Sequence, residues 1–166
     1  MPTPRLRAIT DDDVPTVLDL NHRHVALLSP MDAPRLRQLQ GWADRADVID
    51  LGEEVAGFVV TFAPGSDYDS ENYRWFSQRY EDFTYLDRVV VDVRFRRQGL
   101  ARLVYDELEA AAGSRMLLEV NVDPPNEPSL AFHRGRGYVE VGRAGDPGHV
   151  VALMAKDLEA APTLEG

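Results

Sequence analysis

The stretch VVVDVRFRRQGLA, residues 89–101, carries a mostly apolar run directly into an arginine-rich turn closed by Gly99. The run predicts a buried strand, and Leu100, Leu103, Val104, Leu108 and Ala111 recur beyond it at helical spacing. A strand that turns tightly into an amphipathic helix leaves amide hydrogens at the helix start without intrahelical acceptors, and these point at an anion. Gly99 has no side chain to keep a ligand from the backbone, Arg96 and Arg97 bring charge, and the small Ala101 keeps the approach open. The arrangement suits a pyrophosphate. An arginine-rich surface turn closed by glycine has the same composition, so this stretch alone leaves both readings standing. Two other phosphate loops are excluded, because the spacing is too short for G-x-G-x-x-G and the chain has no Gly-Lys-Ser/Thr.

Outward from this junction, TYLDRVVVDV (84–93) completes the strand. Toward the N-terminus, RLRAIT (5–10) alternates like a strand, and Thr10 with Asp11 to Asp13 starts a helix where acidic groups suit the helix dipole. Val14, Val17, Leu18, Leu20, Val25 and Leu28 give that helix an apolar face to about Pro30, and residues 32–42 form a second short helix. ADVIDL (46–51), the turn-like GEE (52–54) and VAGFVVTF (55–62) predict an antiparallel hairpin. Residues 64–83 then break the rhythm. This connection is long for a compact domain and holds Tyr68, Tyr73, Trp75, Phe76, Tyr80 and Phe83. Toward the C-terminus come a strand MLLEVNV (116–122), a proline-rich turn (123–128), a short helix (129–137) and two strands, YVEVG (138–142) and HVVALMAKDL (149–158). The predicted order is β-α-α-β-β-β-α-β-α-β-β, an α/β (α+β) fold.

The 166 residues match one domain, expected over 1–157, with 158–166 as a disordered tail lacking aromatic or periodic apolar content. A hydrophobic fraction of 44% beside 28% charged residues is that of a globular protein, and apolar runs fall short of the ~18 to 20 residues that span a bilayer. No membrane association is expected. The N-terminal stretch has no apolar segment of the secretory kind, so the cytoplasm is the expected compartment. Having no cysteine, the chain cannot form disulfides, thiolate nucleophiles or cysteine-based zinc sites. A net charge of -10 opposes nucleic-acid binding and favours a cationic small partner.

A second motif follows the first. Asn126, Ser129, Phe132, His133, Gly137 and Tyr138 spell N-x-x-S-x-x-F-H-x-x-x-G-Y, and Arg96, Gly99 and Ala101 match Arg/Gln-x-x-Gly-x-Gly/Ala. On both motifs, in this order, the chain resembles the GNAT superfamily of N-acetyltransferases. The resemblance implies a mixed, mostly antiparallel central sheet flanked by helices. It also implies acetyl-CoA as co-substrate, with the amides of Arg97, Gln98, Gly99, Leu100 and Ala101 on its pyrophosphate and Arg96 beside them. Val89, Val90 and Val91 would pair with the pantetheine arm as a surrogate strand. Asn126, Ser129 and Phe132 would face that arm, although Asn126 ahead of Glu127 and Pro128 is equally a helix cap.

Aminolysis of a thioester needs a neutral amine, a stabilised oxyanion and a departing thiolate. An alkylamine of pKa ~10.4 must lose a proton before attack, so a carboxylate is required, and Asp87 and Glu119 are the candidates. Asp87 could instead pair with a nearby arginine, and Glu119 could be a solvated strand residue. An amide hydrogen from Val89 to Val91 would stabilise the oxyanion, an inference from family geometry. His133 stands where many members of the resembling family carry the tyrosine that protonates the thiolate. Imidazole, of pKa ~6.5, would need a raised pKa or would act as a neutral donor, unless the residue simply packs its helix. Tyr85 and Tyr138 could substitute.

The resemblance sets the acceptor site at Leu27 to Asp32 and the aromatic connection. Leu28, Asp32, Tyr73, Trp75, Phe76 and Tyr85 are its candidate residues, and the acids Asp67, Asp69, Glu71, Glu81 and Asp82 could hold a cationic amine. A solvated charged loop would look the same. The acceptor could be a small amine, an amino acid, a peptide N-terminus or a protein lysine. His22 and His24, two apart on a helix, point in different directions, and no metal site is expected. Rival readings are a non-catalytic acyl-CoA-binding sensor and a purely structural α/β domain. Pairing of two copies through the late strands is a further expectation.

Overall fold

The computed structural model describes residues 3–24 and 28–158. Its contacts group into two compact units, Met1–Tyr68 with Leu86–Leu108, and Asp69–Tyr85 with Glu109–Gly166.

In the first unit, β1 (Arg5–Ala8) pairs antiparallel with β2 (Arg45–Asp50), Arg5 opposite Asp50 and Ala8 opposite Asp47. The expected hairpin joins β2 to β3 (Val55–Phe62), closed by the Leu51 amide on the Glu54 carbonyl at 2.9 Å. β4 (Thr84–Val91) lies next to β3, and a Cβ on Gly57 would stand 2.0 Å from the Val90 carbonyl oxygen. Only glycine permits that approach. Val17 and Leu20 of α1 (Val14–Arg23) and Leu36 and Leu39 of α2 (Ala33–Trp42) are buried with the apolar run of β3. Thr10 and Asp13 cap the entry to α1 through a short 3-10 turn, the Thr10 amide meeting the Asp13 carboxylate at 2.8 Å. The forked Arg7 guanidinium bonds Asp13 at 2.7 and 3.0 Å. That bond holds the Asp13 carboxyl down at about 2, with burial opposing.

α1 is shorter than its sequence pattern. It ends at Arg23 rather than near Pro30, because His24 leaves the helical conformation and Ser29 turns its carbonyl back to the Asn21 amide at 3.0 Å. Val25, expected on the apolar face, lies outside the described residues.

The second unit holds β5 (Arg115–Asp123), β6 (Val139–Asp146) and β7 (His149–Asp157), with β7 antiparallel to both of the others. Thr84 and Tyr85, the first residues of β4, pair in parallel with Met116 and Leu117. The strand order is β1-β2-β3-β4-β5-β7-β6, a seven-stranded mixed sheet that is mostly antiparallel, as the resemblance implies. The unexpected element is α3 (Glu71–Ser77) within the aromatic connection. Ser70 caps it by accepting from the Tyr73 amide at 3.2 Å, and Tyr73 and Phe76 on its inner face are buried. Three aromatic residues in seven, two of them adjacent, are too few to give a periodic signal. Leu158, placed in the tail by the sequence, donates its amide to the Ser114 carbonyl at 2.9 Å, and the rest of the expected tail, 159–166, lies outside the described residues. No described helix is long and apolar enough to cross a membrane.

Candidate active site

β4 alternates along Leu86–Val91: Arg88 and Val90 are buried, while Asp87, Val89 and Val91 are partly exposed. The strand ends at Asp92, whose amide donates to the Ala56 carbonyl at 2.7 Å. The Asp92 carboxylate is buried and accepts from the Arg94 amide at 3.0 Å and from its guanidinium at 3.1 and 3.0 Å. Burial pushes that carboxyl up, but the Arg94 amide and guanidinium outweigh it and hold the group below the usual range. The 3-10 turn so anchored delivers Arg96 to Gly99 fully to solvent. Arg97 at φ 65 and Gly99 at φ 76 both take the left-handed conformation, the kind of backbone from which anion-binding concavities are built. A Cβ on Gly99 would meet nothing within 4 Å. Leu100, 4% exposed, fixes the first residue of α4 (Leu100–Ala111) in the core. A helix starting at a glycine has no side-chain oxygen to satisfy its first amides, so a ligand oxyanion can take that place. Arg96 reaches toward His24, its Nη2 lying 3.5 Å from the imidazole Nε2.

Below the turn, both oxygens of Asp87 are taken. The Tyr68 hydroxyl donates to one at 2.6 Å, and Arg88 Nε donates to the other at 2.8 Å. The arginine partner considered from the sequence is therefore real and adjacent in the strand. Arg88 carries on through Nη1 to Asn21 Oδ1 at 2.9 Å and the Ser29 carbonyl at 3.3 Å. Burial pushes the Tyr68 phenol far above its ordinary value, and the neighbouring Asp87 charge adds to this. Tyr68 thus remains a donor. Arg88 and Asn21 were not singled out by the sequence reading. The available signal was an arginine inside an otherwise apolar strand, since a buried charge must be paired.

Asn21 and Met31 also line an open cleft of about 380 Å³ on α1 and α2, with His22, Pro30, Asp32 and Arg35. Asp32 has a structural duty there, capping α2 by accepting from the Arg35 amide at 2.9 Å. Leu28 is half-buried and is not among the lining residues, and Leu27 lies outside the described residues.

In the second unit Glu119 of β5 is partly exposed and accepts a hydrogen bond from Asn72 Nδ2 of α3. Asn126 caps α5 (Glu127–Gly135), accepting from the Ser129 amide at 3.3 Å. His133 is 6% exposed between the rings of Phe132 and Tyr138, with Nδ1 2.7 Å from the Ser129 carbonyl. A carbonyl only accepts, so the neutral ring carries its proton on Nδ1. Burial pushes the imidazole pKa down, although the Ser129 bond opposes this. The raised pKa that a cationic acid would need is therefore not what this environment supplies, and the geometry favours the helix-packing role. Ser129 likewise turns its hydroxyl to His133 Nδ1 at 3.2 Å. The Tyr138 hydroxyl donates to Glu109 at 3.1 Å, a carboxylate also bound by Arg136 and Lys156.

Of the aromatic acceptor candidates, Tyr73, Phe76 and Tyr85 are 2%, 0% and 0% exposed; Tyr73 packs edge to face on Tyr85 at 5.6 Å and Phe76 lies tilted against Tyr85 at 5.7 Å. Their ring surface is spent on the core. Trp75 is half-buried, with the Arg79 guanidinium 3.8 Å over its ring. Among the described residues no cluster of three or more histidines and carboxylates is set to hold a metal.

The sequence matches the model of the Acetyltransferase (GNAT) family over residues 16–138. No curated protein matches it. Among solved structures, Ard1 from Thermoplasma volcanium superposes with a TM-score of 0.73 at 16% identity, covering 95% of this chain and 99% of that one. The ribosomal-protein-S18-alanine N-acetyltransferase from Escherichia coli gives 0.67 at 18% identity, covering 98% of each chain. The structure of yncA from Salmonella typhimurium with its cofactor acetyl-CoA gives 0.64 at 18% identity over 98% and 99% of the two chains.

Proposed function

The chain belongs to the acetyltransferase (GNAT) family, and from that premise we propose that it transfers the acetyl group of acetyl-CoA to the primary amine of a small molecule, amino acid, peptide or protein. The observation that carries this reading is the Arg96–Ala101 turn. It is exposed from Arg96 to Gly99, left-handed at Arg97 and Gly99, has no neighbouring segment within 4 Å of where a Gly99 Cβ would stand, and opens a helix of twelve residues. Those features fit a pyrophosphate cradled by the amides of Arg97 to Ala101 with Arg96 alongside.

Bound acetyl-CoA supplies the thioester carbonyl that an amine attacks and the thiolate that departs. The backbone of Val89 to Val91 pairs with the pantetheine arm and gives an amide to the developing negative charge. Glu119, partly exposed and bonded by Asn72, takes the proton from the amine, whereas Tyr68 and the Arg88 guanidinium engage both oxygens of Asp87. Asp87 holds the strand rather than the proton. Strong acid assistance at the sulfur is not needed, because a thiolate of pKa ~8.5 leaves readily, and the neutral His133 is consistent with that. The rival is a module that binds acyl-CoA without transfer, for which a His133 that burial keeps from the cationic form is equally suited.

Calorimetry with acetyl-CoA, followed by a thiol-release assay over a panel of amines and free-N-terminus peptides, separates the two. Micromolar binding with turnover supports the enzyme, binding without turnover supports the sensor, and no binding removes both. In an active enzyme Glu119→Gln lowers kcat by about 10²-fold at neutral pH and leaves acetyl-CoA affinity in place; an unchanged kcat removes Glu119 from the mechanism.

A further inference from the structure

Arg88 is a charge where the fold has no need of one. Its side chain is 5% exposed between Leu86 and the run Val89–Val91, paired with Asp87 beside it, and burying an ion pair is often no more stable than filling the same space with apolar groups. What a guanidinium offers is a rigid fork of donors that can hold several acceptors in one geometry. Here the fork spans two places. On one side Nε bonds Asp87 at 2.8 Å, and Asp87 is fixed in turn by the Tyr68 hydroxyl at 2.6 Å. On the other side Nη1 bonds Asn21 Oδ1 at 2.9 Å and the Ser29 carbonyl at 3.3 Å, and lies 3.9 Å from the Met31 sulfur. Asn21 closes the figure by donating to the same Ser29 carbonyl at 3.0 Å. Ser29 belongs to the irregular segment between α1 and α2, and Asn21, Pro30, Met31 and Asp32 line the cleft on those helices. One side chain therefore ties a cleft wall that has no regular secondary structure to the strand that carries Asp87.

We propose that Arg88 is a positioning residue for the acceptor, holding the Ser29–Asp32 wall of the cleft in register with β4 and so setting affinity for the amine rather than the rate of transfer. The proposal rests on the reading that this chain acetylates an amine bound at that cleft. Nothing in it requires Arg88 to touch substrate; the guanidinium acts through Asn21 and the Ser29 carbonyl.

The test uses Arg88→Lys, which keeps a charge beside Asp87 but loses the fork, and Asn21→Ala, which leaves the Asp87–Arg88 pair intact should the first variant fold poorly. Amide hydrogen exchange is measured on the acetyl-CoA-mixed protein, and KM and kcat on the best amine of the panel. In either variant, exchange at the Ser29, Met31 and Asp32 amides should accelerate at least ~10-fold, and the amine KM should rise ~10-fold, with kcat and acetyl-CoA affinity within about twofold. Unchanged exchange overturns the tether. Faster exchange with an unchanged KM, or a fall in kcat at constant KM, overturns the acceptor role. Failure of the wild type to turn over any amine removes the functional reading and the acceptor role with it, while the exchange result still reports on the tether separately.

Discussion

β4 and β5 each run through a turn into a helix, and the two junctions are built in opposite ways. After β4, the turn at Arg96–Gly99 is exposed, holds two left-handed residues and begins its helix at a glycine that cannot cap it. After β5, Asn126 places its own oxygen on the Ser129 amide, Glu127 puts a negative charge in the first turn, and Pro128 has no amide to offer. The first helix has no side-chain oxygen from its own glycine at its positive end; the second fills that end from its own sequence. A strand-to-helix junction is therefore no anion site by topology alone. The cap decides.

The sharpest way to break this comparison is Gly99→Glu, which brings bulk and negative charge to the open junction. Acetyl-CoA binding should weaken by at least ~100-fold, about 2.7 kcal/mol, when measured by calorimetry. The protein should stay folded at a cost of roughly 1–2 kcal/mol, since the new Cβ meets nothing within 4 Å and only the left-handed φ is strained. Retained affinity would mean that the turn is not where the coenzyme binds. A smaller effect is expected at the closed junction. Asn126→Ala should cost about 1 kcal/mol in urea unfolding and move acetyl-CoA affinity little. A loss comparable to that of Gly99→Glu would show that Asn126 serves the coenzyme as well as the helix.

The smallest expected effect is one of pH and belongs to α5. Burial lowers the His133 pKa in the folded protein, so between that value and the unfolded ~6.5 the unfolded chain binds more protons. The stability owed to neutral His133 is complete above pH ~6.5 and declines as pH falls through the folded value. Urea midpoints at pH 7.5 and 5.5 should therefore differ more in the wild type than in His133→Gln. Equal differences would mean that His133 titrates alike in both states, and the buried-neutral assignment would fall.

Much of the molecule was legible because it is local. The β3 strand at 55–62, the turn at Arg96–Gly99 and the Asn126 cap depend on residues within a few positions of one another, so their spacing carries the information. α3 was missed although Ser70, three residues ahead of Tyr73, is a readable cap, because the aromatics around it have no period. The acceptor candidates Tyr73, Phe76 and Tyr85 show the opposite failure. Aromatic side chains suit a binding face and a core equally well, and composition cannot tell which one they line.

The sequence by itself determined the family, the α/β class and the exposed glycine turn after β4, since motif spacing and apolar periodicity are properties of the chain. Only the tertiary structure decided which partners the charged and titratable groups would have. Asp87 meets Tyr68 from nineteen positions away, Arg88 meets Asn21 from sixty-seven, and burial pushes the His133 pKa down. Proton affinity and hydrogen-bond commitment are set by surroundings that folding assembles from distant segments, so no local pattern can state them.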